Sequence, residues 1–139
     1  MNSSIEKLTI PSTVFKFKNG WCTNTDKLAQ VGVNMCEERN CDVIDDQMIV
    51  KKSDIKSSNF DSIVFVKRNI ETITIPSFIK TIEPLAFNNT YRLTKIEFSE
   101  DSQLEIIEKV AFLNSGLNSI SLPSRFKKIC NNAFHNCKN

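Results

Sequence analysis

The sequence predicts a β-dominated solenoid, a fold in which short repeated units stack and share one hydrophobic core. The first observation behind this prediction is an aliphatic frame that occurs five times in 139 residues: Leu or Ile, two variable residues, an aliphatic residue, one variable residue and an apolar residue. The copies begin at Ile5, Leu28, Ile70, Leu93 and Leu117. The second observation is that most copies are about 23 residues apart, and the third is a single gap of 42 residues, which indicates an insertion.

Each copy of the frame predicts a short strand with one buried face. In the third copy, residues 72–75 read Thr-Ile-Thr-Ile, which is the period of a strand that is buried on one side. Proline lacks a backbone donor, so Pro76 is expected to end this strand where the chain turns. Prolines close the frame in two further copies, at Pro11 and Pro123.

A second block follows each regular copy of the frame and predicts a stacked aromatic core. It contains an Ala-Phe pair and, two residues after the aromatic ring, an asparagine. The rings of Phe87, Phe112 and Phe134 are expected to stack along the solenoid axis at roughly 5 to 7 Å. In the first copy, Trp21 and Cys22 replace the pair. The asparagines that follow the pair are Asn24, Asn89, Asn114 and Asn136. They either cap turn backbone groups and form a ladder along one edge, or they are solvated loop residues.

The insertion in the second copy, residues 34–69, predicts a β-hairpin. In this copy, no block with a small-aromatic pair and an asparagine follows Val33. Two apolar runs rich in β-branched residues, 43–50 and 62–67, flank a polar segment. We interpret the runs as two strands joined by a long exposed loop, on one face of the solenoid. The alternative, a disordered linker between two half-solenoids, fits the polar segment but not the runs. Within a strand, Asp45 and Asp46 would point to opposite faces, which disfavours a paired-carboxylate or calcium site.

Length and composition favour one domain that spans residues 1–139. An apolar fraction of 40% is enough to build a buried core in a chain of this size. Within this domain the repeats are expected at about 5–27, 28–69 with the hairpin insertion at 34–69, 70–92, 93–116 and 117–139.

The composition also excludes several classes of function. A net charge of +2 with interspersed signs lacks the clustered basic residues that nucleic acids and anionic lipids require. One histidine and three glycines leave little material for histidine catalysis or glycine-rich phosphate loops. We find no secretory signal at the N-terminus and no apolar run near the roughly 20 residues that cross a bilayer. We therefore expect no enzyme, catalytic residue, cofactor, metal, nucleic-acid partner or membrane insertion by this chain.

Two of the cysteines, Cys22 and Cys137, have ordinary structural explanations, whereas Cys130 stands where other copies have Glu83 and Glu108 and is expected to be exposed without such an explanation. A zinc site at Cys130, His135 and Cys137 would need a fourth ligand, and a Cys–His nucleophile would need an orienting group. Cys137 occupies a column that holds Thr or Ser in other copies, and Cys22 occupies the aromatic column. The spacing of Cys36 and Cys41 permits a disulfide in an oxidising compartment, although composition alone does not fix the compartment.

Any ligand surface is expected on the outward side chains of the frame strands, since the inward positions are used by the core. These side chains are small, polar and mixed in charge, and they suit either a broad protein-binding surface or a merely solvated sheet face. They are Lys7, Thr9, Gln30, Thr72, Thr74, Lys95, Glu97, Ser119 and Ser121.

The repeat resembles that of the BspA-like, treponemal-type leucine-rich-repeat surface proteins of bacteria and parasitic protists. The resemblance rests on the pattern LxxIxIPxxxxxIxxxAFxxC and covers essentially the whole chain, best over residues 45–139. Residues 44–50, 60–68 and 70–79 are similar to the insertion and following repeat of the protozoan branch. The resemblance implies a right-handed α/β leucine-rich-repeat solenoid that binds proteins without catalysis.

The same resemblance implies cell-surface adhesion, or recognition of an extracellular, host or other partner protein, by a chain at the cell surface or secreted. One alternative is a cytoplasmic interaction scaffold that uses the same surface, which the missing signal supports. Another is a truncated fragment of a larger surface protein. The terminal repeats lack polar caps, so we also expect end-to-end self-association.

Overall fold

The computed structural model describes residues 3–137 as strands and turns. Within that range there is no helix, and therefore none with the length and apolarity that a bilayer span requires. The chain winds in about five turns of roughly 23 residues, which confirms the predicted solenoid. Its strands are β1 (Lys7–Pro11), β2 (Gln30–Asn34), β3 (Cys41–Ile44), β4 (Met48–Lys51), β5 (Ser62–Val66), β6 (Thr72–Ile75), β7 (Thr81–Ile82), β8 (Lys95–Phe98), β9 (Ile106–Ile107) and β10 (Lys128–Ile129).

The frame strands β1, β2, β6 and β8 form two separate parallel pairs. In β1–β2, Lys7 lies opposite Gln30, and in β6–β8, Thr72 lies opposite Lys95, so each register spans one repeat. β2 does not pair with β6, because the insertion enters the chain between them. The fifth copy, at residues 117–122, forms no regular strand. The continuous ladder of frame strands that the repeats suggest is therefore interrupted at two places.

A six-stranded sheet, in the order β10-β9-β7-β5-β4-β3, contributes the other side of the shared core. β5, β7, β9 and β10 are parallel and in register. One column of this sheet consists of isoleucines, namely Ile63, Ile82, Ile107 and Ile129. The second copy lacks its own second block after Val33, and β5 of the insertion supplies the corresponding strand.

The insertion is a three-stranded antiparallel meander. β4 and β5 form the predicted hairpin, with the polar segment as its loop. The run at 43–50 is not one strand, however, because it divides into β3 and β4 around a turn at Asp45 and Asp46. Both residues have left-handed φ values, 51° and 52°, as in a type I′ turn. The prediction that these two carboxylates point to opposite faces of a strand is therefore wrong.

The strands of the insertion lie inside the molecule and separate two hydrophobic clusters. All five residues of β5 are buried. Ile49, Val64 and Phe65 pack with the first two copies of the repeat, whereas Ile63 and Val66 pack with the last three. The expectation that the insertion lies on one face is wrong for its strands, because an uninterrupted apolar strand is stabilised only when both faces are covered.

The predicted aromatic stack is confirmed. The rings of Phe87 and Phe112 are 4.5 Å apart at 23°, and those of Phe112 and Phe134 are 5.0 Å apart at 11°. The first of these spacings is slightly shorter than expected. Phe87 and Phe112 are fully buried, and half-buried Phe134 ends the stack.

The asparagine column marks turns in the left-handed backbone region. All four residues have φ near 55–58°, a conformation that asparagine tolerates better than most side chains. Asn114 Nδ2 donates to Asn89 Oδ1 at 2.8 Å, and the Asn89 amide donates to the Asp26 carboxylate. Asn24 and Asn136 are exposed. The predicted ladder therefore forms between the two central asparagines, and the outer two are solvated.

Candidate protein-binding surface

The outward side chains of the frame strands form the candidate surface, which we call the ladder face. All nine residues expected there are exposed, while alternate residues such as Ile73, Ile75 and Val31 are buried. Seven of the nine lie on regular strands, and Ser119 and Ser121 lie on the irregular segment of the fifth copy. Their exposure follows the predicted alternation, and a role in ligand binding stays a prediction.

Charges on the β6–β8 part of the ladder face neutralise one another. Arg92 pairs with Glu71, and Lys95 Nζ is 2.5 Å from Glu97 Oε1. The hydrogen bond and charge of Lys95 lower the pKa of the Glu97 carboxyl below its usual value. Thr74 Oγ1 lies 3.4 Å from the other Glu97 oxygen. This part of the face is therefore a polar surface on which the positive and negative charges largely cancel.

The β1–β2 part of the ladder face is different, because its lysines are unpaired. Lys7 on β1 and Lys67 after β5 make no ion pair with any residue in the 3–137 range. Both line a groove of about 690 Å³ beside β2, which we call the β2 groove. Asp46 contributes the one acidic side chain of its lining. The repeat pattern does not predict a place for Lys67, Asn69 and Asp46 in this surface, because the insertion lies outside the repeat period.

A second groove of about 710 Å³ lies beside β8. Its lining includes Glu97 and Phe98 on one side and Ser121 and Pro123 on the other. It opens where the fifth copy departs from β8 without forming a strand. Both grooves on the ladder face therefore coincide with the interruptions of the ladder.

Arg68 is buried near the interruption between β2 and β6. Its backbone N–H donates to the Leu28 carbonyl at 3.0 Å, and its Nη1 donates to the carbonyls of Val66 and Ala86, each at 3.1 Å. Its Nη2 lies 3.2 Å from Cys22 Sγ. Arg68 therefore connects the first copy, the insertion and the third copy. No periodic signal in the sequence marks Arg68, since it lies at the end of the insertion.

The structure gives Cys130, His135 and Cys137 different local surroundings. Cys137 Sγ lies 3.2 Å from the Phe112 carbonyl, as Thr90 Oγ1 contacts the equivalent Phe87 carbonyl, so the column equivalence is confirmed. Partial burial and a hydrogen bond to Glu108 raise the pKa of the Cys130 thiol, which disfavours a nucleophilic thiolate. His135 is exposed. Between residues 3 and 137, no group of three or more His, Cys, Asp or Glu side chains is arranged to hold a metal ion.

All five cysteines are free in the structure, and no disulfide joins Cys36 to Cys41 in it. Cys41 is buried, with its sulfur 3.6 Å from the Pro11 carbonyl and 3.8 Å from the Ser12 carbonyl. Cys36 is exposed and directs its sulfur to the Asn34 carbonyl. The two side chains therefore have separate local partners.

The segment Asn88-Asn89-Thr90 matches the acceptor pattern for N-glycosylation. Asn88 is only 3% exposed and Thr90 is fully buried, with its hydroxyl donating to the Phe87 carbonyl at 2.8 Å. A folded chain does not present this asparagine to a glycosyltransferase.

The apolar interior is open at the N-terminal end of the solenoid. Ile5, Leu8, Phe17 and Trp21 line a groove of about 580 Å³ there, with Lys16 and Lys18 also in its lining. Trp21 contacts Phe17 and Phe65 at ring distances of 5.1 and 5.7 Å, which anchors the indole on the inner wall.

The architecture is that of a known class of repeat protein. Stacked 23-residue turns, with inward aliphatic residues, an aromatic column and an asparagine column, define a leucine-rich-repeat solenoid. A family model for the BspA type leucine rich repeat region matches residues 39–139, in which it counts six copies. Because this match covers more than half of the sequence, the chain belongs to the BspA-type leucine-rich-repeat family.

A solved structure supports the fold. The crystal structure of a leucine-rich repeat protein from Eubacterium ventriosum ATCC 27560 is similar with a TM-score of 0.51 at 14% sequence identity. The similarity covers 96% of this chain and 59% of that protein. No protein of curated function matches this sequence. The family and the fold therefore indicate a protein-interaction module and leave its partner open.

Proposed function

We propose that this chain is a non-catalytic protein-binding module that uses the ladder face. The observation that carries the proposal is the alternation of the frame strands, in which outward residues such as Thr9, Thr72 and Thr74 are exposed and their inward neighbours form the core. A repeat protein with such a face presents an extended polar surface to a partner. Family membership supports this reading, since such repeats typically act in protein interaction.

The chemistry of the face favours many small contacts. Its side chains are hydroxyls, an amide, the charge pair of Lys95 and Glu97, and the unpaired Lys7, and Tyr91 and Phe78 are the exposed aromatic residues in the described chain. Aromatic and arginine anchors usually dominate tight interfaces, so a face without a central aromatic cluster suits modest affinity. Display of many copies would then strengthen attachment through avidity.

We further propose adhesion or host-protein recognition at a cell surface as the biological role, and membership of the protozoan branch of the family. Both finer assignments rest on the resemblance of residues 44–79 and the repeat pattern. A cytoplasmic scaffold that uses the same face is the second candidate, and the buried acceptor Asn88 is compatible with either location.

Site-specific photo-crosslinking tests the use of the ladder face. A photo-reactive amino acid replaces Thr74 on the ladder face or, as the control, exposed Lys109 in a turn outside it. The two variants are applied to intact and to permeabilised source cells, and the adducts are identified by mass spectrometry. We expect one recurrent protein adduct from position 74 that is absent from position 109.

The cell preparation separates the two candidate locations. Adducts on intact cells support the surface role, and adducts only after permeabilisation support the scaffold. Equal adducts from both positions, or none from position 74 in either preparation, would contradict the proposed use of the ladder face.

We also propose that the open N-terminal groove permits end-to-end association of chains. Its apolar lining, with Leu8 and Trp21, resembles the inner face that neighbouring repeats cover, and Ile129 at the other end is half exposed. Lysines near both ends, Lys18 and Lys128 among them, oppose this association at low ionic strength. Sedimentation velocity at low and high salt tests it: we expect association to grow with salt, and a monomer at every salt concentration would contradict the proposal.

A further inference from the structure

We propose that the β2 groove binds an extended acidic peptide segment, which adds to the free edge of β2 as a further strand. This inference rests on the proposed protein-binding function and specifies its site and the chemistry of the partner segment. It depends on three features of the described residues: the direction of the backbone groups of β2, the absence of a neighbouring strand, and the charges around the groove.

The backbone of β2 offers hydrogen-bonding groups on its second edge. Gln30 N donates to the Glu6 carbonyl at 3.1 Å and the Asn34 carbonyl accepts from Ser12 N at 2.8 Å, so the peptide groups of these two residues face β1. Peptide groups alternate sides along a strand, and those of Val31 and Val33 therefore face away from β1. Both valines line the β2 groove.

No strand of the described chain occupies this edge. The sheet that contains β2 has two strands, and no hydrogen bond joins the backbone of Val31 or Val33 to another described residue outside it. Arg68 N bonds to the Leu28 carbonyl just before β2 begins, and the chain then diverges from the strand. An open edge of this kind is a template for strand addition by a partner.

The groove has room and charge for an acidic segment. Its volume is about 690 Å³, and outward-facing Gly32 places no side chain above the strand. A partner strand of four residues would run about 13 Å along β2. Lys7 and Lys67 lie in the lining without ion-pair partners, against the single acid Asp46. Carboxylates of a bound strand would pair with these lysines, whereas the cations on the β6–β8 part are already paired.

The edge of β8 is a weaker candidate for strand addition. The groove beside it contains Glu97 and Glu100, and its far side is formed by residues 121–124 of the same chain. These acids do not complement a carboxylate-bearing strand. The charge therefore distinguishes the two interruptions and selects the β2 groove.

The test uses the full chain and two fluorescein-labelled hexapeptides, Glu-Val-Glu-Val-Glu-Val and Lys-Val-Lys-Val-Lys-Val, in fluorescence anisotropy at low salt. We expect the acidic peptide to bind at least ten times more tightly than the basic one. Combined K7E and K67E substitution should weaken its binding at least tenfold. K109E makes the same kind of charge change outside the ladder face and should alter affinity less than twofold. Equal binding of both peptides would overturn the proposal.

Amide hydrogen exchange by NMR provides the specific readout. The N–H groups of Val31 and Val33 should exchange quickly in the free protein and at least tenfold more slowly with the acidic peptide, because a partner strand accepts from them. Protection confined to other residues would overturn strand addition. Equal protection by single-stranded oligothymidylate would show a general anion surface and would also overturn it. If position 74 crosslinks a partner while these amides stay unprotected, this inference fails and the proposed function stands.

Discussion

Arg68 Nη2 lies 3.2 Å from Cys22 Sγ, in the interior between the first copy of the repeat and the insertion. Arg68 is 4% exposed, and its guanidinium lies over the Phe65 ring at 4.4 Å. Cys22 occupies the column that holds phenylalanine in the later copies. Its small side chain leaves the space in which the guanidinium lies, so one substitution in the repeat pattern accommodates the buried cation.

For both groups, burial shifts the pKa in one direction and the other group shifts it back. Burial raises the pKa of the Cys22 thiol, and the charge and hydrogen bond of Arg68 counteract this rise. Burial also lowers the pKa of the Arg68 guanidinium, which the nearby Cys22 and Asp26 counteract. Arginine starts from such a high pKa that it stays charged at neutral pH. Arg68 is therefore a buried cation held by carbonyl groups, with Asp26 as an acidic neighbour.

Arg68→Met should strongly destabilise the protein. Methionine retains much of the volume, but it removes the Nη1 donor from the buried Val66 carbonyl and from the Ala86 carbonyl, of which the latter still accepts from Val66 N at 2.9 Å. We expect a loss of about 3 kcal/mol in the free energy of unfolding, as for the removal of one member of a buried polar set. Urea denaturation followed by circular dichroism measures it.

Arg125→Met is the matched control for this change, because Arg125 is exposed. It should alter the free energy of unfolding by less than about 0.5 kcal/mol. Similar losses for the two variants would show that Arg68 does not connect the units in the way that its hydrogen bonds indicate.

Phe112→Ala should remove the central ring of the aromatic stack. Phe112 is fully buried between Phe87 and Phe134, so truncation leaves a cavity that spans three repeats. We expect a loss of roughly 3 to 5 kcal/mol. Thr74→Ala, on the ladder face, should cost less than about 0.5 kcal/mol. Equal shifts in melting temperature for the two variants would contradict the inward and outward assignment.

Gly116→Ala should be far more harmful than Gly32→Ala. A Cβ at position 116 would lie 2.2 Å from the Tyr91 carbonyl oxygen, which is backbone and cannot move aside. A Cβ at position 32 would first meet the Thr9 hydroxyl at 3.4 Å. We expect losses of at least about 2 kcal/mol at position 116 and under about 1 kcal/mol at position 32. Thermal unfolding of both variants checks the ranking, and a tolerated alanine at position 116 would contradict the close approach.

The parts of the fold that the sequence predicts are those that the repeat constrains several times. The last three copies share an inward isoleucine at one position and a phenylalanine at another, so the repeat pattern alone predicts the stack of Phe87, Phe112 and Phe134. Asn89 and Asn114 are predicted for the same reason, since one turn geometry recurs.

The parts that the sequence does not predict occur once. Arg68 and the turn at Asp45 and Asp46 have no second copy to reveal their role. One local signal is present for the insertion: after Ser62, the residues of β5 are all apolar without alternation, which is typical of a strand buried on both faces. Interpreted in that way, the run places β5 inside the molecule. The β2 groove has no such signal, because it depends on β6 failing to pair with β2.

Val110→Asn should stabilise the protein. Val110 has φ of 51°, a left-handed conformation that is strained for a β-branched side chain. The equivalent position holds Asn132 before Ala133-Phe134, Gly20 before Trp21-Cys22 and Leu85 before Ala86-Phe87, with φ of 56°, 81° and 64°. We expect a gain of about 0.5 to 1 kcal/mol in the free energy of unfolding, measured by urea denaturation. Alanine lacks the β-branch but tolerates the left-handed region less well than asparagine, so Val110→Ala should gain less, and an equal gain for alanine would contradict the explanation.

Stability should fall in alkaline solution because of Cys41. Burial and the charge of neighbouring Asp42 raise the pKa of the Cys41 thiol from 9.0 to about 11. Below pH 9 the thiol is protonated in the folded and unfolded chains, and its contribution is fully present. Between pH 9 and 11 the unfolded chain loses this proton while the folded chain keeps it, so the free energy of unfolding decreases. Melting temperatures at pH 8.5 and 10.5 should differ less in Cys41→Ala than in the unaltered protein, whereas exposed Cys36→Ala should retain the full difference. An unchanged difference in Cys41→Ala would show that the Cys41 thiol does not contribute to the loss of stability at alkaline pH.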